Sequence, residues 1–281
     1  MTIEEAIEEG KNRLKNENIE SPKLKSRLLM QFILNKTRQY IIVNDKERLD
    51  FDDEKRFFDA ILKITKKIPL EHITHQKEFM KLNFYINENV LIPRQDTEIL
   101  VEQVIEIAQN TKAKKILDLC TGSGAIAVSL AKYLPNCEIT AIDISNEALK
   151  VAKKNAKNNE VEKQITFINS DLFTNIQKEK FDIVVSNPPY IKKDVIEKLD
   201  KEVKKEPYIA LNGGQDGLYF YKKIVNEVYE YLKYEGYLCF EIGFDQKEDV
   251  TKIIEKEEKF KNIYSKKDLC EMDRIIVAQL K

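Results

Sequence analysis

Residues 181–190 read Phe-Asp-Ile-Val-Val-Ser-Asn-Pro-Pro-Tyr. The apolar run Phe181 to Ser186 predicts a strand, which the chain leaves through Asn187-Pro188-Pro189-Tyr190. Two prolines forbid continuation of the strand and remove two backbone donors. Rigid carbonyls are left beside the Asn187 side chain. That equipment suits a planar amide or aromatic amino nitrogen, a poor nucleophile because its lone pair is delocalised. The two N–H groups of such a nitrogen can donate to the Asn187 side-chain oxygen and the Pro188 carbonyl. Those bonds fix the nitrogen, raise its electron density and favour rehybridisation, while Tyr190 can stack on the planar group. Group transfer to it is an in-line displacement over ~3–3.5 Å. No strong base is required, because the alkylated cationic nitrogen is very acidic. Catalysis then comes from positioning and electrostatic preorganisation.

What is transferred is suggested by residues 116–127, Ile-Leu-Asp-Leu-Cys-Thr-Gly-Ser-Gly-Ala-Ile-Ala. A strand runs into Gly122-Ser123-Gly124 and then a helix, with glycines where the backbone must turn sharply beside a ligand. Asp143 closes the next strand candidate, about 20 residues on, where a carboxylate can accept from ribose hydroxyls. With Ala127 the loop also fits the G-x-G-x-x-G/A dinucleotide fingerprint. Asp118, just before the loop, weighs against that reading. It would repel a pyrophosphate, yet it suits a ligand bearing an ammonium and a sulfonium. S-adenosylmethionine carries both, plus an adenosine for Asp143 to hold. After the third strand candidate, Asp171 could accept from the adenine amino group, with Leu172 and Phe173 packed on the ring, or Asp171 could cap a short turn. The two motifs together imply methyl transfer.

Both motifs need a sheet to hold them. Strand candidates at 115–119, 138–142, 165–168, 181–186, 236–242 and 273–280 alternate with helix candidates at 124–134, 146–158, 216–234 and 246–256. Alternation of this kind predicts an α/β fold, a mostly parallel sheet with helices on both faces, with ligands at the carboxyl ends of the strands. Upstream, residues 1–77 read as a small helical domain. Thr2 with Glu5 has capping-box spacing, Ser21-Pro22 has the pattern of an N-cap with proline first in the helix, and Leu24, Leu28, Leu29 and Ile33 recur at helical spacing. A further helix is predicted over 52–66, with Phe57, Phe58, Ile61 and Leu62 on one face. Residues 78–95 are expected to form a β-hairpin connector, with Asn87-Glu88-Asn89 between its halves. Asp96 or Thr97 then caps the next helix, and 96–281 forms the catalytic domain.

Composition narrows the partners. The 47 Lys and Arg against 48 Asp and Glu give a net charge of −1, which argues against general affinity for nucleic acid. Cys120, Cys137, Cys239 and Cys270 have wide, irregular spacing and read as reduced, buried thiols of a cytoplasmic protein. His72 and His75 have no third metal ligand suggested nearby. The first residues are acidic and helical, unlike a secretion signal, and no apolar run approaches ~18 residues.

With both motifs in view, the chain resembles the release-factor glutamine methyltransferases, the HemK/PrmC family, over essentially its whole length. The resemblance is carried by Arg27-Leu28-Leu29, Leu91-Ile92-Pro93-Arg94 with Thr97-Glu98, Thr121-Gly122-Ser123-Gly124-Ala125, Asp143 and Asn187-Pro188-Pro189-Tyr190-Ile191. It continues through Glu206-Pro207, Ala210-Leu211, Gly213-Gly214 and Asp216-Gly217-Leu218. It implies a class I (Rossmann-like) methyltransferase with a mostly parallel seven-stranded sheet and a small N-terminal helical domain. It further implies N5-methylation of the glutamine in the Gly-Gly-Gln motif of peptide chain release factors. Thr121, Gly122, Ser123, Gly124, Ala125 and Asp143 would hold S-adenosylmethionine, with Leu172 where relatives often place an aromatic on adenine. Asn187, Pro188, Pro189 and Tyr190 would hold the glutamine amide, with Asn187 also among the residues beside the cofactor. The stretch Pro93-Arg94-Gln95-Asp96-Thr97 replaces the usual Pro-Arg-Pro-Glu-Thr, and His72-Ile73-Thr74-His75 lacks the usual glycine; both departures bear on substrate docking. The chain's own Gly213-Gly214-Gln215 reads as a turn before a helix.

Three other readings stand beside this one. A ribosomal protein could be the glutamine acceptor. An adenine-N6 methyltransferase on DNA or RNA would share Asn-Pro-Pro-Tyr, but it would want a base-flipping pocket, a basic track and a recognition domain. After Leu218 there is too little chain for such a domain. A non-catalytic cofactor-binding module would have no use for an intact Asn187-Pro188-Pro189-Tyr190.

Overall fold

The computed structural model describes all 281 residues, Met1–Lys281. The chain divides into two compact units, Met1–Gln76 with Asp200–Lys205, and Lys77–Leu199 with Glu206–Lys281. No helix is long and apolar enough to cross a membrane.

The first unit is helical: α1 (Ile3–Asn16), α2 (Pro22–Leu34), α3 (Arg38–Val43), α4 (Phe51–Thr65) and α5 (Leu70–Thr74). The capping box forms, with Thr2 Oγ1 accepting the Glu5 N–H at 3.2 Å and Glu5 Oε2 accepting the Thr2 N–H at 2.8 Å. Pro22 opens α2, but Ser21 lies in the left-handed region and its side chain caps nothing. The buried face of α2 is Ser26, Leu29, Met30 and Ile33, while Leu24 and Leu28 are exposed. Counting leucines misses a serine on the inward stripe. The Ser26 hydroxyl satisfies itself by donating to the Ile7 carbonyl of α1 at 2.8 Å. On α4, Phe57 and Ile61 are buried as their spacing predicts, but Leu62 is exposed. The stretch 200–205, distant in sequence, is tied to this unit by Lys25 Nζ and Glu202 at 2.7 Å.

The second unit begins with a two-stranded ribbon, β1 (Gln76–Phe79) and β2 (Leu82–Tyr85). The hairpin turn is therefore Met80-Lys81, both at positive φ (49° and 56°), as a tight two-residue connection requires. It is not at Asn87-Glu88-Asn89, where the sequence predicts it. Val90 and Ile92 are buried without joining a strand. The Ile92 N–H donates to the Glu206 carboxylate at 2.9 Å, and Pro93 has no N–H to offer a ladder.

Then follow α6 (Asp96–Thr111), β3 (Lys115–Leu119), α7 (Ala125–Tyr133), β4 (Glu138–Asp143), α8 (Asn146–Asn158), β5 (Ile165–Asn169) and β6 (Phe181–Ser186). After the short helices α9 (Lys193–Ile196) and α10 (Tyr208–Leu211) come α11 (Tyr219–Val228), β7 (Leu232–Glu241), α12 (Lys247–Lys256), β8 (Phe260–Lys267) and β9 (Asp273–Leu280). The strands form one seven-stranded sheet in the order β5-β4-β3-β6-β7-β9-β8. β5 through β7 are parallel, and β9 runs antiparallel to both of its neighbours. This is a mostly parallel seven-stranded sheet, as expected, and its order reverses between β3 and β6.

Successive residues of a strand face opposite ways, so each central strand feeds two cores. Ile116, Ile183 and Val185 join the apolar layer that includes α6, α7 and α8. Leu117, Val184 and Leu238 join the layer with α11 and α12. Strands covered on both faces read as near-continuous apolar runs, which is why β3 and β6 are legible in sequence. β8 is not among the sequence candidates. It is an edge strand, and Lys261, Lys266 and Lys267 break its apolar pattern, as suits a strand that must not pair further. β7 starts earlier than predicted, and α11 ends before 234. Of the cysteines, Cys137 and Cys239 are buried, Cys120 is partly buried and Cys270 is exposed, correcting the expectation of four buried thiols.

Candidate active site

The order reversal puts the carboxyl ends of β3 and β6 side by side, with Leu119 in register with Ser186. The Ser186 hydroxyl donates to the Leu119 carbonyl at 2.8 Å and locks the two strand ends together. From this point the cofactor-loop motif leaves β3 and Asn187-Pro188-Pro189-Tyr190 leaves β6. Beside them opens a cavity of about 280 Å³. Its lining includes Cys120, Gly122, Asp143, Asp171, Leu172, Asn187 and Pro189.

Asp143 ends β4 with both oxygens placed by backbone. Oδ2 accepts the Gly122 N–H and Oδ1 the Ser145 N–H, each at 2.8 Å. Burial pushes its carboxyl above the ordinary range, and those N–H groups hold it back. Each oxygen retains a lone pair for a ligand hydroxyl. Gly122 and Gly124 take positive φ (55° and 79°), so the loop turns as the sequence predicts. Leu172 and Asp171 face the cavity from the segment after β5, and Asp171 lies 3.5 Å from Lys223 Nζ of α11.

Several sequence candidates lie elsewhere. Thr121, Ser123, Gly124 and Ala125 form the turn and the start of α7 but do not line the cavity. Asp118 is fully buried beneath the loop, where Oδ2 accepts the Thr121 hydroxyl at 2.6 Å. Its Oδ1 has no hydrogen-bond partner. Phe173 turns into the core and stacks on Tyr231 at 4.5 Å, so only Leu172 of that pair remains for a ring in the cavity. Neither Asp96 nor Thr97 caps α6, whose N-cap residue is Gln95 and has no side-chain cap bond. Pro188 and Tyr190 also lie outside the lining. Tyr190 packs against the apolar layer of α11 and α12.

The Tyr190 hydroxyl is anchored, donating to Glu241 Oε1 at 3.1 Å. Glu241 ends β7 almost fully buried, and its Oε2 accepts the Thr97 hydroxyl at 2.5 Å. Thr97 Oγ1 in turn accepts from Asn187 Nδ2 at 3.3 Å. Sequence reasoning missed Glu241, although one acidic residue inside the apolar run Leu238 to Ile242 was a usable signal. It also missed the opposite wall. Asn89, Val90 and Leu91 line the cavity on one side and Pro207, Ile209 and Ala210 on another. Arg94 and Glu206, 2.5 Å apart, join these two segments.

The Gly213-Gly214-Gln215 turn packs behind this loop. Ile191 exchanges backbone hydrogen bonds with Leu211 and Gly213, at 3.0 and 2.9 Å. Gln246 Nε2 donates to the carbonyls of Tyr190 and Gly217, at 3.0 and 3.2 Å. A Cβ on Gly213 would sit 2.7 Å from the Tyr190 backbone. The segment is thus a buttress for the Asn187 loop.

The chain matches two protein families, the PrmC N-terminal domain over residues 5–74 and the Methyltransferase small domain over 95–206. It is 43% identical to the release factor glutamine methyltransferase of Clostridium acetobutylicum, over 99% of this chain and 98% of that one. The chain belongs to the release factor glutamine methyltransferase family. The Clostridium botulinum member is 41% identical, with 99% of each chain covered. In fold, the chain is similar to a methyltransferase from Pyrococcus furiosus, with a TM-score of 0.52, 17% identity, and 82% of this chain and 98% of that one covered.

S-adenosylmethionine is the cofactor of this family, and the site fits it. Burial lifts Asp118 to about 7, against the pull of the Thr121 hydroxyl. A buried carboxylate with an unsatisfied oxygen is costly unless a partner arrives. Asp118 does not line the cavity, so a cationic ligand there would offset its charge from across the Thr121 turn rather than by contact, whereas a pyrophosphate would bring a second negative charge. When bound, the cofactor supplies an electrophilic methyl group on a sulfonium. Asp143 would hold its ribose, and Asp171 and Leu172 its adenine. Asp143→Ala should therefore weaken S-adenosylmethionine binding about ten- to a hundredfold, the loss of a charge-assisted hydrogen bond. Titration calorimetry checks this, with NAD as the control that should bind little. Tight NAD binding by the wild type would overturn the assignment.

Proposed function

We propose that the protein methylates the side-chain amide nitrogen (N5) of the glutamine in the Gly-Gly-Gln motif of peptide chain release factors. The observation that carries this reading is Asn187, which opens a rigid proline turn at the carboxyl end of β6 and lines the same cavity as Asp143. The curated relatives that match nearly the whole chain are named release factor glutamine methyltransferases.

The division of labour follows from the donors and acceptors. Asn187, which lines the cavity, accepts one N–H of the acceptor amide on Oδ1, and the Pro188 carbonyl, next to it in the turn but outside the lining, takes the other, so that the amide lone pair points at the electrophilic carbon. The turn is rigid, because prolines fix φ and the Gly213 segment backs it. No basic side chain is required, and neither Asp143 nor Asp118 has to take a proton. A loop with two glycines before its glutamine suits a narrow site, since it can bring its backbone close.

Binding of a folded partner away from the reacting amide helps to orient that amide. Intact release factor should thus gain one methyl group on the glutamine, and an isolated Gly-Gly-Gln peptide should react far more slowly. A release factor with that Gln→Glu should gain none, because a carboxylate has no N–H to donate. Intact-mass and fragment mass spectrometry after incubation with S-adenosylmethionine reads all three. Equal labelling of the Gln→Glu protein would defeat the proposal.

A further inference from the structure

An amide side chain can present either its oxygen or its nitrogen to a ligand, and Asn187 serves only if the oxygen faces the acceptor. Three hydrogen bonds settle which end is committed. Glu241, when ionised, has only acceptors. It therefore takes the Thr97 hydroxyl proton on Oε2 (2.5 Å) and the Tyr190 hydroxyl proton on Oε1 (3.1 Å). With its proton spent, Thr97 Oγ1 has only lone pairs left, so the group that meets it at 3.3 Å must be the Asn187 amide nitrogen. The opposite corner of that amide, Oδ1, is left for a ligand in the cavity that Asn187 lines.

We infer that Glu241, through Thr97 and Tyr190, is the positioning residue that selects the productive orientation of the Asn187 amide. The inference rests on the reading of Asn187 as the holder of the acceptor amide. Glu241 does not line the cavity; it ends β7 outside that lining. The same carboxylate pins both ends of the Asn187–Tyr190 turn, one through the hydroxyl of α6 and one directly.

Protonation undoes this arrangement. A neutral Glu241 carries an O–H of its own and can donate to Thr97. The Thr97 hydroxyl is then free to donate to Asn187, which rewards the reversed amide. Burial raises the Glu241 carboxyl to about 6, against the pull of Thr97, Tyr190 and Arg274 of β9, with Asp96 of α6 pushing it up. The Tyr221 hydroxyl of α11 donates to the Glu241 backbone carbonyl at 2.9 Å. The productive orientation is thus held above about pH 6 and lost as pH falls through it.

The test uses the full-length enzyme with intact release factor and S-adenosylmethionine, both saturating, so that kcat reports the bound complex rather than the free-enzyme titrations of Asp118 and Asp143. Thr97→Val keeps the shape and removes the hydroxyl. It should lower kcat about ten- to a hundredfold, the scale of a misplaced reacting group, with cofactor affinity unchanged. Thr97→Ser restores the hydroxyl and should restore kcat. In the wild type kcat should fall as pH drops through about 6, and Glu241→Gln should remove that acid limb while lowering the plateau. Wild-type kcat in Thr97→Val, or an unaltered acid limb in Glu241→Gln, overturns the inference while leaving the proposed reaction standing. A wild type that methylates no glutamine overturns the reaction itself.

Discussion

Asn187→Ala should lower turnover of release factor by about a hundred- to a thousandfold, the loss seen when one preorganised polar group is removed from a reacting centre. S-adenosylmethionine affinity should change by less than about tenfold. The two effects separate because Asn187 can serve the acceptor amide, whereas the loop N–H of Gly122 and both oxygens of Asp143 are arranged without it. Asn187→Asp should retain only traces of activity. It keeps an oxygen for the acceptor, but it has no N–H for Thr97 and sets a second carboxylate near Glu241. Single-turnover kinetics with calorimetric cofactor titration measures both quantities. Wild-type turnover in Asn187→Ala would remove the residue from the mechanism.

Gly217→Ala should have the largest effect on stability. Gly217 has φ of 75°, where a side chain costs about 1–2 kcal/mol. Its added Cβ would also lie 2.5 Å from the Tyr190 carbonyl oxygen and 2.6 Å from Gln246 Nε2. Overpacking of that kind costs a further ~1–3 kcal/mol, so a loss of about 2–5 kcal/mol in urea unfolding is expected. The displaced carbonyl belongs to the active-site turn, so turnover should fall beyond what unfolding explains, even where the protein remains folded. Unchanged stability would mean that the turn is looser than its hydrogen bonds indicate.

The parts of this molecule that are legible in sequence are those with a single dominant cause. β3 and β6 carry apolar residues toward both faces, and their apolar runs stop at a glycine or proline turn. The Asn187 motif and Asp143 are legible because their residue types have few other uses at a strand end. The Met80-Lys81 turn is not, since neither residue prefers positive φ. The ribbon is held instead by distant contacts such as Asn155, whose amide bonds the Tyr85 backbone at 2.6 and 3.0 Å and the Ser123 carbonyl at 2.8 Å. Residues 200–205 belong to the helical unit through Lys25 and Glu202, an ion pair that no local pattern announces. The Asp118 carboxylate was legible as a charge beside the loop, but not its depth. Only the packed structure shows it enclosed under Thr121. Glu241 and Thr97 lie 144 positions apart, so although Glu241 stands out as an acidic residue in an apolar run, nothing local pairs it with Thr97.

The nitrogen that receives the methyl group separates a glutamine acceptor from an adenine one. One vessel should contain the enzyme, labelled S-adenosylmethionine, intact release factor and adenine-containing DNA, single-stranded and duplex, with products resolved by mass spectrometry. Label is expected on the release factor alone, one methyl group per chain, on the glutamine of Gly-Gly-Gln. Label on adenine, with none on the release factor, would contradict it.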